Sequence, residues 1–399
     1  MPKQPYLTAQ EAAAELGVSL ATLYAYVSRG LIRSEAAAGS RRARRYRRED
    51  VARLKQRQAQ RRNPARAARE TLHWGLPVLE SSLTLIADGR LYYRGQGAVG
   101  LAETAVFEQV AELLWSGLVA ARAEALARWA PQATPVERIQ VVLAVAAGAD
   151  PAAFDLRPAS VAETGQRILR QSLAAVIFPA RPTGRRLAEG LQRAWAPDQP
   201  DALPIIEAAL ILCADHELNV SAFTARCVAS AGGTPYGVVL AALAALQGHR
   251  HGGAVGRAAA LLDEVGSPAR ASAVLNGRLR RGESIPGFGH LLYPEGDPRG
   301  QALLDMLMTA RSRSKSVRLA KSLVTAAAEL IGEKPTIDLA LAVIERTLDL
   351  PRGAGLALFA LGRTAGWIAH ALEQYAIGEL IRPRATYVDL APAIAANSD

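Results

Sequence analysis

Cysteine is almost missing from this chain of 399 residues: Cys213 and Cys227 are the only two, so at most one disulfide can form and no cysteine-based metal cluster is available. Two thiols without companion ligands read as reduced and structural. Aromatics are as scarce, at 5%, while alanine and leucine dominate. That balance disfavours a sheet protein, because strands collect aromatic and β-branched residues, and it favours close-packed helices. Long apolar runs are lacking too. The longest, VVLAALAAL at 238–246, is far short of a membrane span, and the opening MPKQPYLTAQEAAAEL has no apolar segment of the signal-peptide kind. A soluble, cytoplasmic protein with no membrane partner is expected. What the chain does have is 50% hydrophobic residues, enough for a large core and more than one domain.

The net charge of +10 is informative once located. Of 47 Lys/Arg and 37 Asp/Glu, residues 1–70 hold 16 and 6, which leaves 31 of each and no net charge in the remainder. The asymmetry points to an appended module for a polyanion. In TAQEAAAELGVSLATLYAYVSRGLIRS, Thr8 and Glu11 make a capping box, Leu16-Gly17 ends a first helix, and Ser19 caps a second that carries Leu23 and Val27 inward until Gly30. GSRRARRYRR at 39–48 reads as a turn and basic β-ribbon, and EDVARLKQR as a third helix running into a basic linker. An arginine-rich linker beside a protein-docking helical hairpin is the other reading of this stretch.

From residue 71 the pattern changes to amphipathic helices, with no short repeat or low-complexity tract. AETAVFEQVAELLWSG puts Val106, Val110, Leu113 and Leu114 on one stripe, DLALAVIERTLDLP stops at Pro351, and GLALFALGRTAGWIAHALEQY is apolar nearly all round, hence buried. Four of the six histidines, His216, His249, His251 and His290, lie in three polar or glycine-rich interruptions: ADHELN, GHRHGG and PGFGH. Glycines beside a polar side chain mark a sharp bend or a close approach, so His290 and Arg299 in PGFGHLLYPEGDPRG are candidates for chemistry. His249 and His251 have no further Cys/His cluster to complete a metal site, and no metal is expected. An arginine alone is most often a surface ion pair, but Arg363 lies inside LFALGRTAGWI, where an unpaired charge is costly.

Two resemblances follow from these residues. LGVSLATLYAYVSRGLI and RRYR resemble the helix-turn-helix and wing of the MerR-type and excisionase-like families. The resemblance implies DNA as a partner of residues 1–66, with Ser19, Thr22, Tyr24 and Tyr26 on the recognition helix and Arg41, Arg42, Arg44, Arg45 and Arg47 on the wing. LTLIADGRLYYRGQG, CADHELN, GHRHGGA, GFGH…DPR, PTIDLAL, GRTAGWIAHALEQ and LIRPRATYV, in that order, resemble the citrate synthase family over most of residues 72–390.

The implied fold is all-α, with large and small helical domains in residues 71–399, the small one at about 255–340 inserted in the large, behind a small winged helix-turn-helix domain. The implied reaction condenses oxaloacetate with acetyl-CoA or propionyl-CoA on a homodimer, with the acyl-CoA as co-substrate and no permanently bound cofactor. By the same resemblance Asp338 is the base, His251 the donor to the enol, and His290 the group that polarises the ketone. His216, Arg299, Arg363 and, from the other subunit, Arg382 bind the substrate carboxylates. Such chemistry needs a placed donor, because a carboxylate removes a thioester α-proton only where the enolate oxygen is stabilised at once. The chain departs from the family at Leu291 and Pro294, where many members carry basic residues for the CoA phosphates, at Leu339-Ala340 after Asp338, and at Cys213. A transcription regulator that senses oxaloacetate or acyl-CoA without turnover is the alternative expectation.

Overall fold

Thr8 starts the first helix as its sequence predicts: Thr8 Oγ1 accepts the Glu11 N–H while Glu11 Oε2 accepts that of Thr8, and Gly17, at φ 63°, closes the far end. In the computed structural model, which describes residues 6–28, 32–36, 44–48, 50–51, 81–115 and 133–383 apart from 183 and 185, the chain forms two units, Met1–Glu80 and Ser81–Asp399. In the first unit, β1 (Tyr6–Leu7), α1 (Ala9–Leu16), α2 (Leu20–Ser28), β2 (Ser34–Ala36) and β3 (Arg44–Arg47) give two helices against an antiparallel sheet of order β1-β3-β2. Leu7, Ala12, Ala13, Leu16, Leu23, Ile32, Tyr46 and Val51 form its core, with Val27 half-buried against it. The alternation of β3 sends Tyr46 inward and its neighbouring arginines outward. Gly30, Arg41, Arg42 and the third helix beyond Val51 lie outside the described residues.

The second unit opens on a small antiparallel sheet that the helical pattern did not announce: β4 (Thr84–Ala87), β5 (Arg90–Tyr93) and β6 (Gln96–Gly97). Its first turn is Asp88-Gly89, both at positive φ (51° and 69°), as a tight two-residue hairpin requires. Helices follow: α3 (Ala98–Thr104), α4 (Phe107–Trp115), α5 (Pro135–Ala149), α6 (Pro158–Ile177), α7 (Leu187–Trp195), α8 (Leu203–Cys213), α9 (Val220–Ser230), α10 (Pro235–Leu246), α11 (Ala254–Val265), α12 (Ala271–Arg280), α13 (Pro298–Ala310), α14 (Lys315–Ile331), α15 (Ile337–Thr347) and α16 (Ala354–Ile377). The stripe expected through Val106 is broken. Ala105 is extended and Val106 precedes α4, whose first N–H, that of Phe107, is held by the Glu207 carboxylate. α15 also stops before Pro351, ending at Thr347, and Asp349 turns the chain at φ 54°.

α16 is buried on every side for most of its 24 residues and packs on α4, α6, α8, α9 and α10. Its approach to α8 leaves no room at Gly362, where a Cβ would lie 2.4 Å from the Leu210 carbonyl oxygen. Overpacking of this kind costs about 1–3 kcal/mol. Gly362→Ala is therefore expected to lower the calorimetric melting temperature of the second unit by several degrees, and an unchanged melting profile would contradict this packing.

Candidate active site

Three interruptions between helices supply the polar groups. The first, between α8 and α9, is pinned from below by buried side chains. Tyr93 Oη meets the carbonyls of Ile211 and Leu212 at 3.0 and 3.2 Å. The Asp215 carboxylate accepts from Thr84 Oγ1 and from His370 Nε2, whose Nδ1 faces Arg226 Nη1 at 3.4 Å. Arg226 donates only, so His370 Nδ1 is the acceptor and Nε2 carries the proton directed at Asp215. The next residue, His216, is 7% exposed and is thereby fixed in place.

The second interruption, between α10 and α11, carries His251. Ser221 Oγ lies 2.8 Å from both His251 Nε2 and Asn219 Oδ1, so its one proton serves one of them, while the Trp367 indole N–H donates to it at 3.1 Å. The third runs from Gly287 to Asp297. Gly289 has φ 77°, and a Cβ there would meet Glu333 Oε2 at 2.6 Å, which explains the glycine before His290. The Leu292 N–H donates to His290 Nδ1 at 3.2 Å, leaving Nε2 as the protonated nitrogen of the neutral ring. Asp297 caps α13, binds Arg299 Nε and Nη2 at 2.9 Å each, and accepts the Ile337 N–H that starts α15 at 3.0 Å. One carboxylate thus aligns Arg299 and the helix turn bearing Asp338.

Arg363 reaches the same region from α16. It is 1% exposed, its Nε donates to the Cys213 carbonyl at 2.7 Å, and among the described residues neither Nη1 nor Nη2 has a hydrogen-bond partner. Phe359 lies under its guanidinium at 4.9 Å. Buried cations with unused N–H groups are costly, and a planar pair of amino groups suits a carboxylate.

The electrostatics follow from this placement. Burial, followed by the charges of Arg299 and Arg363, holds His216 well below its ordinary pKa. Burial and the same two arginines hold His251 down at about 3. Burial and Arg299 hold His290 at about 4. All three imidazoles are neutral near pH 7. Asp338 moves the other way, up to about 6, because desolvation outweighs the attraction of Arg299. The set can bind an anion, donate hydrogen bonds from neutral rings and remove a proton with one carboxylate.

His216, His251, His290, Arg299, Arg363 and Asp338, all expected from sequence, therefore stand within one electrostatic neighbourhood. Arg382 is exposed beyond α16 and, among the described residues, has no bond to this group. His249 is exposed, and among the described residues no cluster suits a metal ion. In the first unit Ser19 and Thr22 bond each other at the start of α2, Tyr24 is 52% exposed, and Tyr26 is half-buried. Arg44 donates to Ser34 Oγ, while Arg45 and Arg47 pair with Glu35. Sequence reasoning missed Tyr293, Ser221, Trp367, Asp215 and His370. Tyr293, Asp215, Trp367 and His370 stood inside the quoted motifs; Ser221 did not, and it bonds across elements, where no spacing signals it.

A helical fold with a buried, partly unpaired guanidinium, neutral histidines and one elevated carboxylate fits an acyl-transfer class of enzyme. The profile of the citrate synthase C-terminal domain matches residues 121–384, and that of a helix-turn-helix domain matches residues 6–59. Citrate synthase 2 of Bacillus subtilis is 31% identical over 357 residues, 78% of this chain and 94% of its own length. The 2-methylcitrate synthase of Mycobacterium tuberculosis is 27% identical over 330 residues, 74% of this chain and 84% of its own. A ternary complex of carboxymethyl coenzyme A and oxaloacetate with the citrate synthase of Thermoplasma acidophilum has a TM-score of 0.69 at 25% identity, covering 79% of this chain and 95% of that one. The chain belongs to the citrate synthase family and is a citrate synthase-type enzyme.

Arg363→Met removes a buried charge that the fold itself leaves half unused. It is expected to melt no lower than the unsubstituted protein, yet to lose the rise in melting temperature that a small dicarboxylate produces. A variant that unfolds early and still binds the dicarboxylate would contradict an anion slot.

Proposed function

We propose that the protein condenses oxaloacetate with acetyl-CoA or propionyl-CoA to give citrate or 2-methylcitrate and CoA. The observation that carries this reading is the Arg363 guanidinium, buried with both terminal NH2 groups unpartnered among the described residues and beside three neutral histidines. The Thermoplasma complex, with its bound oxaloacetate and CoA analogue, supports the substrate pair. Arg363, Arg299 and His216 bind the two carboxylates, and Arg382 joins them from the other subunit of a homodimer. Asp338 takes the α-proton of the thioester. His251 donates to the enol oxygen when the Ser221 proton points to Nε2, which leaves the His251 proton on Nδ1. His290, protonated on Nε2, polarises the ketone as the carbon-carbon bond forms and gives its proton to the new alkoxide; water then cleaves the thioester. The domain limits of the proposal are 1–66 for the head, 71–399 for the enzyme and about 255–340 for its small domain.

The test is thiol release from acetyl-CoA and from propionyl-CoA with oxaloacetate present. Turnover with at least one thioester, abolished by Asp338→Ala, is expected; binding of oxaloacetate without any thiol release would favour a sensor. Asp338 acts as the carboxylate, so kcat/KM should fall below pH about 6, by roughly tenfold per pH unit. His251 and His290, held at about 3 and 4, add no second limb above pH 5. A flat profile between pH 5 and 7 would remove Asp338 from the role of base.

The head, in the same proposal, binds DNA through α2 and the β2-β3 wing, and a twofold dimer presents two heads to a palindromic operator. The exposed pairs of Glu35 with Arg45 and Arg47 are weak enough for phosphates to replace. DNA retention should weaken steeply as salt rises and disappear when residues 1–66 are deleted. Equal retention by the full and shortened chains would refute it.

A further inference from the structure

Tyr293 has no assigned part in the reaction, yet it occupies the centre of the oxoacid side of the site. Its side chain is 2% exposed, and its hydroxyl lies 2.9 Å from His216 Nε2. The three rings make a triangle: His216 to His290 at 5.4 Å, His216 to Tyr293 at 5.6 Å, and His290 to Tyr293 at 5.0 Å. Arg299 sits over the phenol ring at 5.6 Å from its centroid. The backbone N–H of Tyr293 also donates to the His290 carbonyl, so the turn that orients His290 orients Tyr293. The bond between Tyr293 and His216 joins the loop after α8 to the loop before α13, the two that supply His216 and His290.

We infer that Tyr293 is a positioning residue for oxaloacetate: its hydroxyl donates to His216 Nε2, fixing the ring plane and leaving the proton of His216 on Nδ1, where it is offered to a substrate carboxylate. The direction of the bond follows from acidity. A phenol O–H is a far better proton donor than the N–H of a neutral imidazole, and the unprotonated ring nitrogen is the better acceptor. Burial, the first cause, raises the Tyr293 pKa, so the phenol keeps its proton throughout the working range. The groups packed round the pair are the cations Arg299 and Arg363, the Asp297 and Glu217 carboxylates, and His290. The cations hold His216 neutral, and a neutral histidine has two tautomers, of which only one presents a donor on Nδ1. Without the phenol, His216 loses the partner that selects between them and keeps a buried, unsatisfied nitrogen.

The inference rests on the oxaloacetate reading above, and the experiment separates the two. In Tyr293→Phe, which keeps the ring, KM for oxaloacetate should rise about tenfold, as expected for one lost hydrogen bond of roughly 1.4 kcal/mol, with KM for acyl-CoA and the melting temperature little changed. Calorimetric titration with oxaloacetate alone should show the same loss of affinity. Nitrogen-15 spectra of histidine-labelled protein should show the His216 Nε2 resonance as an unprotonated acceptor in the unsubstituted chain and a tautomer average in the variant. An unchanged KM for oxaloacetate, or a His216 protonated on Nε2 in the unsubstituted chain, overturns the inference. Absence of thiol release from the unsubstituted chain defeats the enzymatic reading instead, and the spectra still decide the Tyr293–His216 bond.

Discussion

The interaction on which the rest depends is the placement of one guanidinium in a helix buried on nearly every side. Arg363 sits within that helix, and among the described residues its one hydrogen bond to the protein runs from Nε to the Cys213 carbonyl. Burying a cation with unused donors costs several kcal/mol unless an anion completes it. The domain tolerates this because α16 is enclosed by other helices and because Asp215 lies near enough to oppose the desolvation. A buried guanidinium of this kind gives up local stability for pre-organised donors suited to a carboxylate.

The same burial divides the labour among the titratable groups. Removing water disfavours every charged form, so it lowers the histidines and raises Asp338. Arg299 and Arg363 then act unevenly. They deepen the depression of His216 and His251 but only moderate the rise of Asp338. The result is three donors that stay neutral beside a carboxylate near the pH at which a base is most useful. No metal is required for that separation, since two fixed guanidinium charges and a low local dielectric already produce it.

The helical class and the head with its capping box and glycine stop were legible in the sequence for local reasons, whereas the substrate roles of the seven expected site residues rest on the family resemblance, and six of the seven share one electrostatic neighbourhood. Thr8 and Glu11 signal through spacing, His290 through its glycine, and Arg363 through the apolar run around it. What escaped was long-range. The sheet at 84–97 is too short for periodicity, although Asp88-Gly89 marked its turn, and the break at Ala105 depends on a carboxylate a hundred residues away. Tyr293, Ser221 and Trp367 act through bonds between loops and helices that no window of sequence contains. Arg382 stands apart from the cluster within a single chain.

The loop 286–297 shows how two demands share one segment. Its inner side is committed by Gly289, Tyr293 and Asp297 to holding His290 and Arg299, and Asp297 extends that commitment to α15 through the Ile337 N–H. Its outer side is free to vary, and there the chain has put Leu291, 72% exposed, and Pro294 in place of basic residues. A point charge on a solvated loop contributes little by itself, because salt and water screen it. The absence of basic residues there leaves the inner side of the loop, held by Asp297 and Arg299, undisturbed. An enzyme of this design can lose affinity for its co-substrate while its proton-transfer geometry stays intact.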